Sequence, residues 1–290
     1  MQLDFIVAGF SKCGTTTLCS LLDEHPDIFI PEMKETAFFA WAFHRKGWDW
    51  YRSLFEPGRG VRLHGEGTTF YTAAQWERMS CDRIVRYVPG VKLILIARHP
   101  ILRLESAYRE NHHSGHLLNV RAPYGIGPFL RAFPNTVADT LFWQRINTYR
   151  SHFPDERFHV MFLEDLRRDP QRELARCFEF LGVDPSFRVR DVARRENSGE
   201  EKLYDSWLMR FIRSHRRLNR YWGRMEPQQQ DRWGRRLGLR RPFRGPVRWR
   251  REDYQWVIDQ IADDARQFLA FYGKPADFWD LEWSSRAAAA

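Results

Sequence analysis

Short apolar runs alternate with amphipathic stretches over roughly the first 185 residues of the 290-residue chain. The run Val91–Ala97 is apolar on both faces, which is typical of a central strand in a parallel sheet. Similar runs at Phe5–Phe10 and Phe158–Phe162 predict further buried strands, and the apolar residues between these runs recur at helical spacing. Strands that alternate with helices predict an α/β fold, a three-layer sandwich with a mostly parallel central sheet.

The remaining elements are shorter or less regular. A short strand is predicted at Ile28–Ile30, a second near Arg62–Gly65, and the Gly- and Pro-rich stretch Leu117–Asn135 is predicted to be a loop. The predicted helices are Thr15–Glu24, Trp48–Phe55, Ala73–Tyr87, Pro100–Asn111, Thr136–Ser151, Asp169–Leu181, Tyr204–Leu218 and Asp253–Phe271.

The pattern weakens after about residue 185, where arginine and tryptophan become frequent. We interpret residues 1–286 as a single domain, because no clear linker or internal repeat interrupts them. Its α/β core covers 1–185, a helical cap rich in Arg and Trp covers 186–286, and 287–290 form a tail. The C-terminal part could also form a small separate lobe.

Composition adds little about the chemistry. The net charge of +9 suits an anionic ligand, a nucleic acid or an anionic surface, and equally a generally charged surface. No stretch of about 18 apolar residues predicts a membrane span. An apolar strand begins at Phe5 and leaves no room for a signal peptide, so we expect a cytoplasmic protein. The cysteines form no Cys-x-x-Cys pair, so reduced thiols and no metal site are expected at Cys13, Cys19, Cys81 and Cys177.

The segment Gly9–Thr16 (GFSKCGTT) lies between a predicted strand and a predicted helix. Loop N–H groups and a helix N-terminus together form an anion site. The two glycines have the spacing of a P-loop. However, Thr15 stands where a loop that binds a nucleoside triphosphate has lysine, and the lysine of this chain, Lys12, lies inside the loop. One lysine and the hydroxyls of Thr15, Thr16 and Thr17 suit a phosphosulfate, which carries less charge beyond its first phosphate than a triphosphate.

A second candidate follows the central strand. Arg98 comes at the strand's carboxyl end, where ligands of open α/β sheets bind, and Ser106 lies about two turns into the next helix. Both could reach one phosphate, since Arg supplies planar charged donors and Ser a hydroxyl. A structural ion pair for Arg98 and a surface position for Ser106 explain these two residues equally well when they are considered alone.

The run Ser11–Leu18 (SKCGTTTL) resembles the 5'-phosphosulfate loop of sulfotransferases that use 3'-phosphoadenosine 5'-phosphosulfate (PAPS), whose core is Lys-x-Gly-Thr. Arg98–Tyr108 is similar to their 3'-phosphate signature, Arg-x-Pro-x-x-Arg-x-x-Ser-x-Tyr. The resemblance implies a P-loop NTPase-like fold, with PAPS as co-substrate, adenosine 3',5'-bisphosphate (PAP) as product and no metal. It also implies that Lys12 contacts the bridging oxygen and that the backbone of Cys13, Gly14, Thr15, Thr16 and Thr17 wraps the 5'-phosphate.

The segment Lys34–Phe39 (KETAFF) resembles the heparan sulfate N- and 3-O-sulfotransferase branch of this family, where a Glu three residues before a Phe pair acts as the base. The resemblance implies that Glu35 is the general base of an in-line displacement, with Lys12 stabilising the leaving oxygen. The rival bases are His99, His112, His113 and His116. The last three could also form a metal cluster, but their spacing is not that of a familiar ligand set.

The chain departs from that branch at Gly67. Relatives often place a lysine there, after the Glu of the second strand motif, and here the run reads Glu66-Gly67-Thr68. Either Lys34 or an arginine therefore supplies the missing charge, or the acceptor differs. Lys34, Glu66, His112 and Trp41 are candidate acceptor contacts. The acceptor class stays open among small molecules, lipids and glycans, as does the oligomeric state.

Two other function classes fit part of the sequence. A P-loop small-molecule kinase would need Lys after Gly14 and an acidic Mg²⁺ ligand at a strand end, and Val91–Ala97 carries no Asp. A basic nucleic-acid-binding protein without catalysis would bind DNA or RNA with steep salt dependence and would not be stabilised by the donor. The late arginine runs, such as Arg248–Arg251, could bind an anionic acceptor or PAP, and could equally form a solvated face. We favour the sulfotransferase, with no nucleic-acid partner, because two motifs occur in the right order on matching elements.

Overall fold

The computed structural model describes residues 3–114, 122–190, 202–243 and 245–283. Their internal contacts define two compact units. The first comprises Met1–Arg103, Pro134–Glu196 and Trp256–Leu281; the second comprises Leu104–Phe133, Asn197–Gln255 and Glu282–Ala290. The predicted division of one domain at residue 185 stays a prediction.

The strands and helices of the described residues are as follows. The strands are β1 (Phe5–Gly9), β2 (Ile28–Phe29), β3 (Leu63–Glu66), β4 (Lys92–Ala97), β5 (Phe158–Phe162), β6 (Leu203–Asp205) and β7 (Arg240–Pro242). The helices are α1 (Thr15–Leu22), α2 (Phe43–Ser53), α3 (Glu77–Tyr87), α4 (Pro100–Ser114), α5 (Ile126–Ala132), α6 (Asn135–Ala138), α7 (Phe142–Arg150), α8 (Leu163–Arg168), α9 (Pro170–Leu181), α10 (Trp207–Ser214), α11 (Arg216–Trp222), α12 (Pro227–Arg236) and α13 (Arg251–Phe271).

A five-stranded parallel sheet in the order β2-β3-β1-β4-β5 organises the first unit. β1 and β4 are its central strands, and almost every residue in them is buried. The register pairs Val7 with Ile94 and Ile96 with Met161. The predicted α/β fold with a mostly parallel sheet is confirmed. Burial on both faces explains why these strands are continuous apolar runs rather than alternating ones.

The second unit contains the antiparallel pair β6–β7 and the helices α10, α11 and α12. A small apolar core of Met209, Trp222 and Leu239 holds them together. Across the described residues of both units, no helix combines the length and apolar character that crossing a bilayer requires.

Three sequence predictions are wrong in detail. In the described part of the predicted loop Leu117–Asn135, Ile126–Ala132 is a helix, because Pro128 is tolerated in a first turn and Phe129 and Leu130 are buried. The predicted helix Thr136–Ser151 is divided between α6 and α7, where the Thr140 hydroxyl bonds back to the Thr136 carbonyl at 3.0 Å.

The third error concerns Tyr204–Leu218, predicted as one helix. Its first residues belong to strand β6. Ser206 then caps α10 by accepting the Met209 N–H at 3.3 Å, and the helical run breaks again at His215 before α11. The turn chemistry of Ser206 therefore overrides the apolar periodicity.

Candidate active site

The loop between β1 and α1 has the backbone that an anion site needs. Gly14 precedes the helix with φ of +95°, a left-handed conformation that favours glycine. A Cβ at this position would also lie 2.8 Å from Cδ1 of Leu163. Lys12 is itself left-handed, with φ of +66°. The loop therefore turns tightly into the first N–H groups of α1.

Two arginines hold this loop through its carbonyl groups. The buried Arg103 donates from Nε to the Ser11 carbonyl at 3.1 Å and from Nη1 to the Thr140 hydroxyl at 2.9 Å. Arg98 donates from Nη1 to the Lys12 carbonyl at 3.4 Å. Burial raises the pKa of the Cys13 thiol to about 12, so that side chain stays neutral. Cations and a neutral thiol leave the loop electropositive.

Lys34 extends over the start of α1. Its Nζ donates to the hydroxyls of Thr15 and Thr16, at 3.4 Å each. An ammonium beside the positive end of a helix is unfavourable on its own, because both carry the same sign of charge. The arrangement therefore suits a bound anion, which would stabilise both.

Glu35 lies next to this cation. Its Oε1 is 3.2 Å from Nζ of Lys34, and its side chain is 41% exposed. The structure thus brings together the predicted base, Lys34 and the hydroxyls of the phosphate loop. A solvent-accessible carboxylate at this position can accept a proton from an incoming acceptor.

The two phenylalanines after Glu35 anchor its segment in the core. Phe38 and Phe39 are fully buried, and Phe38 stacks on Tyr51 with 4.1 Å between ring centroids. The Phe39 N–H donates to the Tyr71 hydroxyl at 3.2 Å. The Phe pair therefore fixes where Glu35 leaves the core and enters solvent.

Glu66, at the end of β3, is the centre of a buried hydroxyl network. Its Oε1 accepts the hydroxyls of Tyr51 and Tyr71, each at 2.8 Å. Its Oε2 accepts those of Thr68, at 2.9 Å, and Thr36. Burial raises the pKa of Glu66 above its ordinary value. No part of Glu66 is exposed, so the predicted acceptor contact lies beneath the Glu35 segment, which it supports through Thr36.

Gly67 explains the departure from the heparan sulfate branch. Its N–H donates to the Lys34 carbonyl at 3.1 Å. A Cβ here would lie 2.4 Å from Sγ of Cys19 and 3.0 Å from Cγ of Lys34. The absent side chain therefore makes room for the Lys34 stem, which crosses this position on its way to the phosphate loop.

The rival bases that lie within the described residues are buried or hydrogen-bonded to the backbone. His112 is only 8% exposed and stacks on Tyr124, and burial lowers its pKa to about 4. Nδ1 of His113 accepts the Leu203 N–H at 3.1 Å. The buried ring of His99 has Nε2 at 2.7 Å from the Asp280 carbonyl. His116 lies outside the described residues.

The remaining candidates are less constrained. Trp41 is 42% exposed, with the Arg45 guanidinium 5.9 Å from its ring centroid, and it keeps an accessible apolar surface. Ser106 lies in α4, within the second unit, and its pairing with Arg98 stays a prediction. Of the late arginines, Arg240 is buried and donates to the His113 carbonyl at 2.6 Å, which is a structural role.

The structural roles of Arg103 and of the tyrosines that contact Glu66 were not predicted from the sequence. Arg103 stands inside the quoted Arg98–Tyr108 motif, and its place in that motif was the available signal. The tyrosines of the Glu66 network carry no local signal, because Tyr51 and Tyr71 come from separate segments and meet only in the folded chain.

The sequence profile of the sulfotransferase domain matches residues 2–217, about three quarters of the chain. The chain belongs to the sulfotransferase domain family. This match confirms the family predicted from the phosphate-loop and Arg98 motifs.

Individual relatives agree with the predicted branch. The chain is 31% identical to human heparan sulfate glucosamine 3-O-sulfotransferase 6 over 182 residues, which cover 61% of the chain and 52% of that protein. The chain thus spans about half the length of the curated relatives it matches. A solved sulfotransferase from Alicyclobacillus acidocaldarius has the same fold, with a TM-score of 0.66, 21% identity and coverage of 96% of the chain and 99% of that structure.

The predicted cytoplasmic location is wrong on these comparisons. The chain is 34% identical over 108 residues to the membrane-associated sulfotransferase kil1 of Dictyostelium discoideum, over 36% of the chain and 22% of that protein. A relative named for its membrane association points away from the cytoplasm.

Proposed function

We propose that the chain transfers a sulfuryl group from PAPS to an acceptor hydroxyl or amine, with glycan hydroxyls as the first acceptor class to test. The observation that carries the proposal is the position of Lys34, whose Nζ lies between the hydroxyls of Thr15 and Thr16 and the carboxylate of Glu35. Family membership supports the reaction class. The name of the human relative supports a sugar acceptor.

The donor assignment follows from charge. The backbone from Cys13 to Thr17 and the start of α1 would hold the 5'-phosphate, as helix N-termini hold anions. Lys12 and Lys34 would neutralise the charge that develops on the leaving phosphate oxygen. Arg98 is assigned to the 3'-phosphate, and Ser106 joins it on the strength of the motif alone.

The transfer step needs one proton acceptor. The acceptor oxygen forms a bond to sulfur while the bond from sulfur to the phosphate oxygen breaks, and that electron pair stays on the phosphate of PAP. Glu35 takes the acceptor's proton, and its exposed carboxylate is accessible for this role. Trp41 offers an accessible ring on which a sugar or aromatic acceptor can stack.

The experiment is a screen with PAPS labelled in its sulfuryl group against glycans, lipids, phenols and small alcohols, followed by variants on the best acceptor. Glu35→Gln should lower the transfer rate about 10²–10⁴-fold, the usual contribution of a general base, while PAP affinity changes less than about twofold. The matched control is Glu32→Gln, because Glu32 is an exposed carboxylate three residues earlier.

The outcomes separate the parts of the proposal. Near-normal transfer by Glu35→Gln would overturn the base assignment and leave the donor assignment standing. Absence of both PAPS-dependent transfer and PAP binding in the unaltered chain would overturn the proposed function itself.

A further inference from the structure

Two consecutive helices of the second unit expose several large apolar side chains. Trp207 is 75% exposed, Tyr221 is 68% exposed and Phe211 is 50% exposed. Leu208 and Leu218 are exposed as well. We call the exposed residues of α10 and α11 the arginine–aromatic face: Trp207, Leu208, Phe211, Arg216, Arg217, Leu218, Arg220, Tyr221 and, just after α11, Arg224.

These side chains are not needed by the core of the unit. The same helices contribute Met209 and Trp222 to the small apolar core, and both residues are buried. The exposed set comes in addition to them and falls within fifteen residues of chain. Apolar side chains concentrated in this way mark a binding surface more often than isolated exposed residues do.

The charge of the same stretch has one sign. Between Ser206 and Met225 the sequence contains six arginines and no aspartate or glutamate. Arg213 pairs with Asp205 at 2.7 Å, whereas Arg216, Arg217 and Arg220 form no ion pair with any residue in the described ranges. Arg224 has its guanidinium 5.3 Å from the Tyr221 ring centroid. The exposed aromatic side chains therefore lie in a stretch of chain whose charged side chains are all cationic.

We propose that the arginine–aromatic face binds the surface of an anionic lipid bilayer. Tryptophan, tyrosine and phenylalanine bury their rings at the boundary of headgroups and acyl chains, and arginines beside them pair with lipid phosphates. A hydrophilic polyanion would satisfy the arginines but would leave Leu208, Phe211 and Leu218 in water. A second copy of the chain would place the four arginines of this face against four like charges.

Binding is tested with sedimentation of phospholipid vesicles. Vesicles of phosphatidylcholine containing about one third phosphatidylglycerol are compared with vesicles of phosphatidylcholine alone at the ionic strength of cells, where single-sign basic clusters still bind anionic membranes. We expect the chain to bind the anionic vesicles at least about tenfold more tightly. The assay needs no sulfuryl donor, so its outcome is independent of the proposed transfer reaction.

Two variants divide the contributions. Trp207→Ser with Phe211→Ser and Tyr221→Ser should weaken binding at least about tenfold through lost apolar burial. Arg216→Gln with Arg217→Gln and Arg220→Gln should weaken it about a hundredfold, given the usual contribution of one basic residue near an anionic surface. Unchanged circular dichroism and melting temperature show that each variant is folded.

The matched control is Arg86→Gln with Tyr87→Ser on α3. This pair is also exposed, and the Arg86 guanidinium lies 5.4 Å from the Tyr87 ring centroid. Its binding to anionic vesicles should equal that of the unaltered chain.

Three results would overturn the proposal. The first is equal affinity for anionic and neutral vesicles. The second is loss of vesicle binding in the arginine variant with unchanged binding in the aromatic variant, which shows that the exposed rings do not enter the bilayer and that any polyanion would serve as the ligand. The third is self-association that the aromatic variant abolishes in a chain that does not bind vesicles, which indicates a contact between copies.

Discussion

The loop between β1 and α1 in the first unit and the arginine–aromatic face of the second unit both have several cations. The two regions differ in how far those cations are buried and hydrogen-bonded. Around the loop, Arg103 is buried, donates to backbone and hydroxyl oxygens and pairs with the Asp139 carboxylate at 3.5 Å. On α11, Arg216, Arg217 and Arg220 point to solvent. Arginines of one chain are thus fixed by hydrogen bonds in one region and exposed to solvent in another, which fits the proposals of a small anion at the loop and of an extended anionic surface at the arginine–aromatic face.

This comparison makes Lys12→Ala the change with the largest expected effect. Removal of the one lysine inside the loop should lower kcat/KM for PAPS about 10²–10³-fold, because one preorganised donor at a developing negative charge contributes that much to transition-state stability. Radiolabel transfer at limiting PAPS measures it. Lys46→Ala, which removes an exposed lysine from α2, should stay within about twofold. Equal losses of kcat/KM in both variants would show that Lys12 does not stabilise the transition state specifically.

The hydroxyl network around the buried Glu66 should contribute strongly to the stability of the first unit. Glu66→Ala leaves four hydroxyls without their acceptor in a water-free environment, so the free energy of unfolding should fall by about 3–5 kcal/mol. Urea unfolding measures the loss. Glu56→Ala, at an exposed ion pair with Arg59, should cost less than about 1 kcal/mol. A small loss for Glu66→Ala would mean that the network contributes little to holding the Glu35 segment.

The close approach at Gly67 gives a sharper test of the same region. Gly67→Ala should lower the free energy of unfolding by about 1–3 kcal/mol, since the new Cβ would lie 2.4 Å from Sγ of Cys19. Adding Cys19→Ala removes that sulfur and should recover part of the loss, beyond what additivity of the single variants gives. Strict additivity in the double-mutant cycle would contradict the proposed steric contact.

The smallest effect on the free energy of unfolding is expected for the exposed arginines of α11. Arg216→Gln, Arg217→Gln and Arg220→Gln should each change the free energy of unfolding by less than about 0.5 kcal/mol. Their side chains are exposed and form no ion pair within the described part of the chain, and such side chains contribute little to folding. Chemical unfolding of each variant checks this. A loss above about 1 kcal/mol would show that these arginines serve the fold instead of a partner.

The sequence predicted the first region well because backbone demands leave local marks. Buried parallel strands need apolar residues on both faces, as in β4, and a tight phosphate loop needs glycine at Gly14. Glu35 was predicted from its motif as the base, which stays a prediction; the structure shows its carboxylate in contact with Lys34. The role of Glu66 as a buried support could not be predicted, because its partners come from α2, from the segment before Phe38 and from the segment that follows β3.

The second region was harder to predict for a physical reason. Its elements are short, and its apolar residues serve either the small core or the exposed face, so helical periodicity does not distinguish Met209 from Phe211. Strand β6, strand β7 and helix α12 were all missed. The exposure of Trp207 and Tyr221 emerges only from the folded unit.

Calorimetric titration of the chain with PAP and with Mg²⁺-ATP tests the central claim most directly, because it asks which anion the loop between β1 and α1 holds. We expect saturable binding of PAP that Lys12→Ala abolishes, and no binding heat from Mg²⁺-ATP. Saturable binding of Mg²⁺-ATP without binding of PAP would contradict it.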